Sequence, residues 1–197
     1  MSIEKTKSTD TVSSGLIAGA KPEEQMTALG YFTIQCFDKN GKLKWEDANH
    51  NLVVNTGLQY MCGTALTNVT QVTSWFVGLI TGPSSGTTIA AGDTMASHAG
   101  WTEAVPYSNA TRPACTFATA TTNNPSVATN SVSPASFSIN ATATVAGAFL
   151  SNGSAKSPNA GHNTGTLFSA ADFSAPGDRS VASGDTLNVT YTLSLAG

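Results

Sequence analysis

Side chains that can do chemistry are few and scattered in this chain. The three histidines are His50, His98 and His162, and their separations match no metal-ligand motif. His50 follows Asp47 and Asn49 near the end of an expected strand, where it reads as a loop residue rather than a general base. His98 stands close behind Asp93 and Thr94, which suits local capping or a surface contact and carries no dyad signature. His162 lies in AKSPNAGHNTG, where Asn and Gly already account for a turn. Glu46 and Glu103 are too isolated to nominate as a glycosidase pair. Asp172, Asp178 and Asp185 sit in ADFSAPGDRS and ASGD, turn contexts in which a carboxylate accepts bonds from nearby backbone amides. DKNGK at 38–42 opens like a calcium loop but lacks the later ligands, and a hairpin explains it. There is no nucleophile elbow and no phosphate-binding Walker loop. The expectation is therefore no catalytic, cofactor-binding or metal-ligating residue, and no enzyme. An enzyme would need a cleft joining Glu103 or Asp93 to one of the histidines.

Aromatic side chains offer binding instead. Trp45, Trp75, Trp101 and Tyr107 are the candidates for a sugar or protein contact. Trp75 falls inside an apolar strand and reads as core. Trp101 and Tyr107 flank the loop-like GWTEAVPYSNATRP, where local packing, a protein interface and a glycan contact are the readings in descending order. Cys36, Cys62 and Cys115 are odd in number and lack metal spacing, so they read as buried free thiols in a protein made in a reducing cytosol.

The elements that would position these residues are mostly strands. YFTIQCF (31–37) alternates, Asn40-Gly41 signals a hairpin, and LKWED (43–47) returns. In HNLVVNTGLQYMCGTAL (50–66), Asn55 or Thr56 can cap a short helix with Leu58, Met61 and Cys62 on its inner face. SWFVGLIT (74–81) is an apolar strand ending at Gly82-Pro83. Asp93 or Thr94 starts a second short helix, and TGTLFSAADF (164–173) reads as a strand followed by one helical turn. RPACTFATAT (112–121) is a strand, and SFSINATATVAGAFLS (136–151) holds one or two with a phase change at Gly147. DTLNVTYTLSL (185–195) is the clearest strand, with Leu187, Val189, Tyr191, Leu193 and Leu195 on one face. About eight strands, Gly/Pro turns and no βαβ rhythm predict an all-β antiparallel β-sandwich, by preference a jelly roll, with two or three short helices.

Composition narrows the function. Of 197 residues only 11% are charged, while 28 are Thr. The net charge of −3 leaves no electrostatic footprint for nucleic acid, and no stretch reads as a membrane span or signal peptide. Thirteen of the 21 charged residues fall within the first 50 positions. Residues 1–28 are polar without a sustained period and read as an extended N-terminal arm ahead of a β-sandwich domain over 29–197. Fully extended, such an arm reaches up to about 90 Å.

The run YFTIQCFDKNGKLKWEDANHNLVVNTGLQYM, the strand WFVGLITG and the closing TGTLFSAADFSAPGDRSVASGDTLNVTYTLSL together resemble the small structural proteins of tailed bacteriophages, in particular head decoration or cement proteins. The resemblance covers residues 31–197 and lies in overall texture, not in a short motif, so it transfers no contact residues. It implies a virion protein made in the host cytoplasm that sits on the outer surface of the head. There it would bridge neighbouring major capsid proteins as a homodimer or homotrimer, without nucleic acid, membrane or cofactor. An arm segment such as 11–18 would pair with a capsid strand edge. The alternative is a tail or fibre component that binds a host receptor or glycan through loops at 82–110 and 152–163.

Overall fold

A computed structural model of the chain describes residues 26–83, 86–159, 164–173 and 177–197. Residues 1–25, nearly all of the expected arm, and His162 lie outside the described residues. In chain order the first elements are β1 (Thr27–Phe37), β2 (Leu43–His50), β3 (Leu52–Val53), α1 (Asn55–Leu66), β4 (Trp75–Thr81), β5 (Thr102–Ala104) and β6 (Ala114–Cys115). There follow β7 (Ser126–Thr129), β8 (Ala135–Ser138), β9 (Ala143–Val145), β10 (Gly147–Ser151), β11 (Leu167–Asp172), β12 (Arg179–Val181) and β13 (Thr186–Ala196).

The first hairpin forms where Asn40-Gly41 places it. Gly41 takes a φ of 79°, and Asp38 Oδ1 accepts the N–H groups of Asn40 and Lys42. These bonds, Lys42's first, hold the Asp38 carboxyl below its ordinary range. β1 then pairs antiparallel with β13 from Thr27↔Ala196 to Phe37↔Thr186. The free edge of β13 takes β7 and β8, completing a five-stranded sheet in the order β2-β1-β13-β7 with β8 end to end with β7 along the same edge of β13. Between β7 and β8 a side chain stands in for a strand. Asn130, buried, donates from Nδ2 to the Val189 carbonyl at 3.2 Å and accepts the Tyr191 N–H at 2.7 Å, so no backbone group of β13 is orphaned at the gap.

The second sheet runs β3-β11-β10-β4-β5, with β6 also on β4, and β9 pairs with β12 in a third. Phe32, Ile34, Val189 and Tyr191 of the first sheet share a core with Val77, Leu79, Leu150 and Phe168 of the second. The second sheet is buried on its other face as well. There Ile80, Phe149, Leu167 and Ala170 pack with Met95 and Trp101 from the segment ahead of β5. Burying a Phe such as Phe149 on that face stabilises by roughly 1.5–3 kcal/mol.

The result is a mixed α/β fold with one helix and three sheets among the described residues, none closed into a barrel. The expected jelly-roll sandwich with two or three short helices does not form. Its error lies in the central strands. A strand with one wet face alternates, whereas β10 is buried at all five residues and β11 at its first five, the mark of strands covered on both sides. The cover comes from the segment expected to hold a second helix. Instead of a helix, Thr94 and Ser97 form a tight bridge with N–H···O bonds of 2.9 and 3.2 Å. The helical turn expected near residue 171 is strand, since β11 continues to Asp172. The stretch 136–151 holds parts of three strands, and its phase change at Gly147 marks a close approach. A Cβ there would stand 2.0 Å from the Ala171 carbonyl oxygen. In the stretch 112–121 only Ala114–Cys115 is strand.

The single helix also differs from expectation. Its N-cap is Val54, with no side-chain cap bond. Thr56 instead donates its hydroxyl to the Leu167 carbonyl at 2.6 Å, tying the first turn to β11. Leu58 and Cys62 are exposed rather than inward, and Met61 is half-buried. The reason is the closeness of helix to sheet: a Cβ on Gly57 would meet the Phe168 carbonyl oxygen at 2.1 Å. Glycine faces the strand, and the larger apolar side chains are turned sideways or outward.

Candidate functional site

The apolar face of β13 outruns the core. Leu187, Val189 and Tyr191 are fully buried, but Leu193 and Leu195 on the same face are only half-buried. Over them a groove of about 550 Å³ lies open. Leu193, Leu195 and Ala128 line it from the five-stranded sheet, Met61 from α1, and Trp75 and Phe117 from the opposite side. That volume is in the range of ordinary ligand sites. Its aromatic wall is built edge to face, with Trp75 between Tyr60 and Phe168 at centroid distances of 5.2 and 5.4 Å.

At the inner end of the groove, the Tyr191 hydroxyl accepts from Asn51 Nδ2 at 3.0 Å and from the Ser169 hydroxyl at 3.3 Å. Burial pushes the Tyr191 phenol up to about 12, so it stays neutral across the physiological range. Asn51 sits where the chain crosses from β2 in one sheet to β3 in the other, its N–H bonded to the Gly30 carbonyl. A Cβ on Gly30 would lie 1.9 Å from Asn51 Oδ1, so a larger residue there would push the Asn51 amide off the Tyr191 hydroxyl.

Beside the groove, α1 presents Leu58, Cys62 and Leu66 outward at i, i+4 and i+8, with Leu66 83% exposed. Val69, just after the helix, is 48% exposed. Groove and stripe together form an apolar area, in contrast to the outward face of β13, which carries Thr186, Asn188, Thr190, Thr192 and Ser194. Surfaces of that kind mark contact with another macromolecule. The sequence carries one signal for it: the apolar face of β13 is two residues longer than the strands opposite can cover.

The polar candidates are engaged elsewhere. Glu103, 4% exposed, is held bidentately by Arg112, with Nε–Oε1 and Nη2–Oε2 both 2.8 Å. Ser157 N–H donates to the same carboxylate at 2.9 Å and the Tyr107 hydroxyl at 3.4 Å. Arg112 also donates to the Gly153 carbonyl and lies over the Phe149 ring. A charge pair this deep, once one partner is removed, costs about 3–5 kcal/mol, so this is an anchor joining β5 to the loops at 105–112 and 152–157. Lys156 adds to it by donating to the Tyr107 carbonyl at 2.8 Å while its ammonium sits over the Tyr107 ring.

Asp93 accepts the Trp101 indole N–H at 2.9 Å and the Ala90 N–H at 3.0 Å. His98 stacks on Trp101 at 3.9 Å and turns Nδ1 to the Trp101 carbonyl. Asp93 and His98 thus serve the same tryptophan from different sides. Trp101 and Tyr107 are each 1% exposed, so the aromatic pair considered for a glycan is core. Within 82–110, considered as an exposed contact loop, the described residues 86–101 cover the second sheet through Met95 and Trp101, and Thr102–Ala104 is a strand of that sheet. Trp45 is half-buried, edge-on to Phe173, and donates its indole N–H to the Ser180 carbonyl.

Asp185 and Asp47 carry the other two ion pairs found among the described residues, with Lys44 and Arg179 respectively. Glu46, on the outer sheet face, accepts from Gln35. His50 is exposed and packs edge-on against Tyr31. Asp172 is exposed, with burial of its surroundings and the neighbouring Asp178 raising its carboxyl above the ordinary value. Cys36 and Cys115 are buried as expected, and burial pushes their thiols up to about 11 and about 12. Cys62 is exposed, contrary to expectation. Among the described residues no group of three or more His, Cys, Asp or Glu is placed to hold a metal ion, and no helix is long and apolar enough to cross a membrane. Comparison with protein-family models, curated proteins and solved structures gives no match to this chain.

Proposed function

We propose that this chain is a virion structural protein, a decoration or cement subunit on the outer surface of a tailed-phage head that bridges major capsid proteins. The observation that carries the reading is the apolar area formed by the open groove and the outward stripe of α1. It lies on a body whose buried carboxylates are committed to Arg112, Lys44, Arg179 and, for Asp93, the Trp101 indole. Such a body is suited to adhesion, and the polar, low-charge strand faces keep it soluble without strong fields. Assembly as a dimer or trimer would multiply weak contacts on a repeating shell. The tail or receptor-binding alternative loses its main support with the burial of Trp101 and Tyr107.

The test is location. Antibody raised against the purified protein is used for immunogold imaging of particles from cultures carrying its gene. Gold on heads is the expected result. Gold confined to tails would establish the alternative, and protein found only in the unassembled fraction would sink both readings.

A further inference from the structure

The outward stripe of α1 matches a copy of itself. Leu58, Cys62 and Leu66 stand at i, i+4 and i+8 on the exposed side of the helix. The row is large at both ends, small in the middle and symmetric about Cys62. Laid antiparallel on an identical row it keeps register. Leu58 then faces Leu66 of the second copy, and the two Cys62 side chains meet on the two-fold axis. Beside Cys62 the surface dips between Gln59, Gly63 and Val69, so nothing there holds a second helix off.

Charge points to the same occupant. α1 has no acidic residue in its first turn and no basic one in its last, so its own side chains leave the partial charges of both helix ends uncompensated. An antiparallel copy sets its negative end against the positive one, and the reverse. No Asp, Glu, Lys or Arg occurs between residues 51 and 92. Identical faces therefore meet without repulsion, and a charged partner finds no ion pair to make on the helix. Area sets the strength. The 12 residues of α1 make a face about 18 Å long and about 10 Å wide, well short of the roughly 800 Å² per partner of a standard interface. Such a contact is weak alone and gains strength where neighbouring copies are held close.

We propose that α1 is a homotypic contact, through which two copies of the chain pair isologously by Leu58, Cys62 and Leu66. The stripe is then the self-contact of the apolar area, and the groove is left for other partners. This does not rest on the capsid reading, and its test needs only the purified protein.

The experiment is sedimentation velocity of the full chain from low to high micromolar concentration, with disulfide trapping by diamide. Diamide takes one electron and one proton from each of two thiols and is itself reduced to the hydrazine. Packed helices lie about 8–10 Å apart, with Cα atoms about 2.3 Å from each axis. Facing Cα atoms thus come to about 5 Å, within the span of a disulfide. Cys62 is the exposed thiol of the three. The expected result is a dimer that grows with concentration, and a covalent dimer on oxidation that Cys62→Ser lacks. Leu66→Asp, a change on an exposed side chain, should raise the dimer dissociation constant roughly tenfold or more, since each end of the pair would bury an unpaired carboxylate. The disulfide yield should fall with it, at a nearly unchanged urea midpoint. Wild type that stays monomeric at every concentration overturns the proposal. So does a dimer that Leu66→Asp leaves intact, or a Cys62 disulfide that fails to form or forms equally well in that variant, because the contact then lies elsewhere, the groove included.

Discussion

Asp185 accepts the Lys44 ammonium at 2.5 Å, the Ala182 N–H at 2.8 Å and the Cys36 thiol at 3.7 Å through one oxygen. Burial pushes its carboxyl up, but the bonds from Lys44 and Ala182 outweigh this and hold it below the ordinary value. The same bond raises the Lys44 ammonium. The signs fix two pH windows. A carboxyl depressed in the folded state contributes stability above its unfolded value of about 3.9, lost as pH falls through the folded value. A raised ammonium contributes stability below its unfolded value of about 10.4, lost as pH rises through the folded one. Asp185→Asn should therefore lower the urea midpoint near neutrality. The change corresponds to about 1–2 kcal/mol, since Lys44 is partly exposed and its bond is screened. The gap between wild type and variant should close in acid. Urea titrations at neutral pH and well below the carboxylate range check this; a gap that persists in acid would mean that the aspartate's role is packing and not charge.

At the scale of elements, α1 is positioned by two glycines, each for a different reason. A Cβ at Gly57 would meet the backbone oxygen of Phe168 at 2.1 Å, whereas at Gly63 the nearest atom is the Val69 side chain at 2.8 Å. Helix propensity alone favours alanine over glycine by about 1 kcal/mol at both sites. A strand carbonyl cannot yield, but an exposed valine can. Gly57→Ala is therefore expected to destabilise by about 1–3 kcal/mol despite its propensity gain, and Gly63→Ala to be near neutral. Thermal or urea melts of the two variants decide it, and equal effects would refute the backbone-contact explanation. The same contrast separates what could be read in advance from what could not. The hairpin at Asn40-Gly41 and the long strand β13 were legible because their signals are local: a turn dipeptide and strict alternation. The helix face was not, because glycines at the sheet contact reverse the usual rule that large apolar residues point inward. The double-sided burial of β10 and β11 had a signal, their unbroken apolar runs, but its meaning depends on a cover supplied by a distant segment. The Glu103–Arg112 anchor had none, since eight intervening residues, nearly all irregular chain, bring the pair together. The groove was half-visible in the excess length of the apolar face of β13, and only the three-dimensional ending of the opposite strands gives that excess a function.

The whole molecule distributes its charge in a way that bears on the proposed adhesive surface. Thirteen of 21 charged residues lie within the first 50, which leaves eight for the remaining three quarters of the chain. Of those eight, Glu103, Arg112, Arg179 and Asp185 are in ion pairs. The surface of the body around the groove and the α1 stripe is consequently close to neutral, and an interface made there gains little from long-range attraction. Charge-steered complexes weaken steeply with salt, whereas contacts between apolar surfaces do not. If the groove and stripe form the adhesive surface, raising sodium chloride from roughly 50 to 500 mM, which shortens the screening length severalfold, should leave the affinity for isolated particles nearly unchanged. Leu66→Asp should weaken it markedly while leaving the fold intact, because Leu66 is 83% exposed. Sedimentation of labelled full-length protein with particles across a salt series measures both. Binding that collapses with salt but tolerates Leu66→Asp would move the adhesive surface to the charged first quarter of the chain, where residues 1–25 alone carry Glu4, Lys5, Lys7, Asp10, Lys21, Glu23 and Glu24.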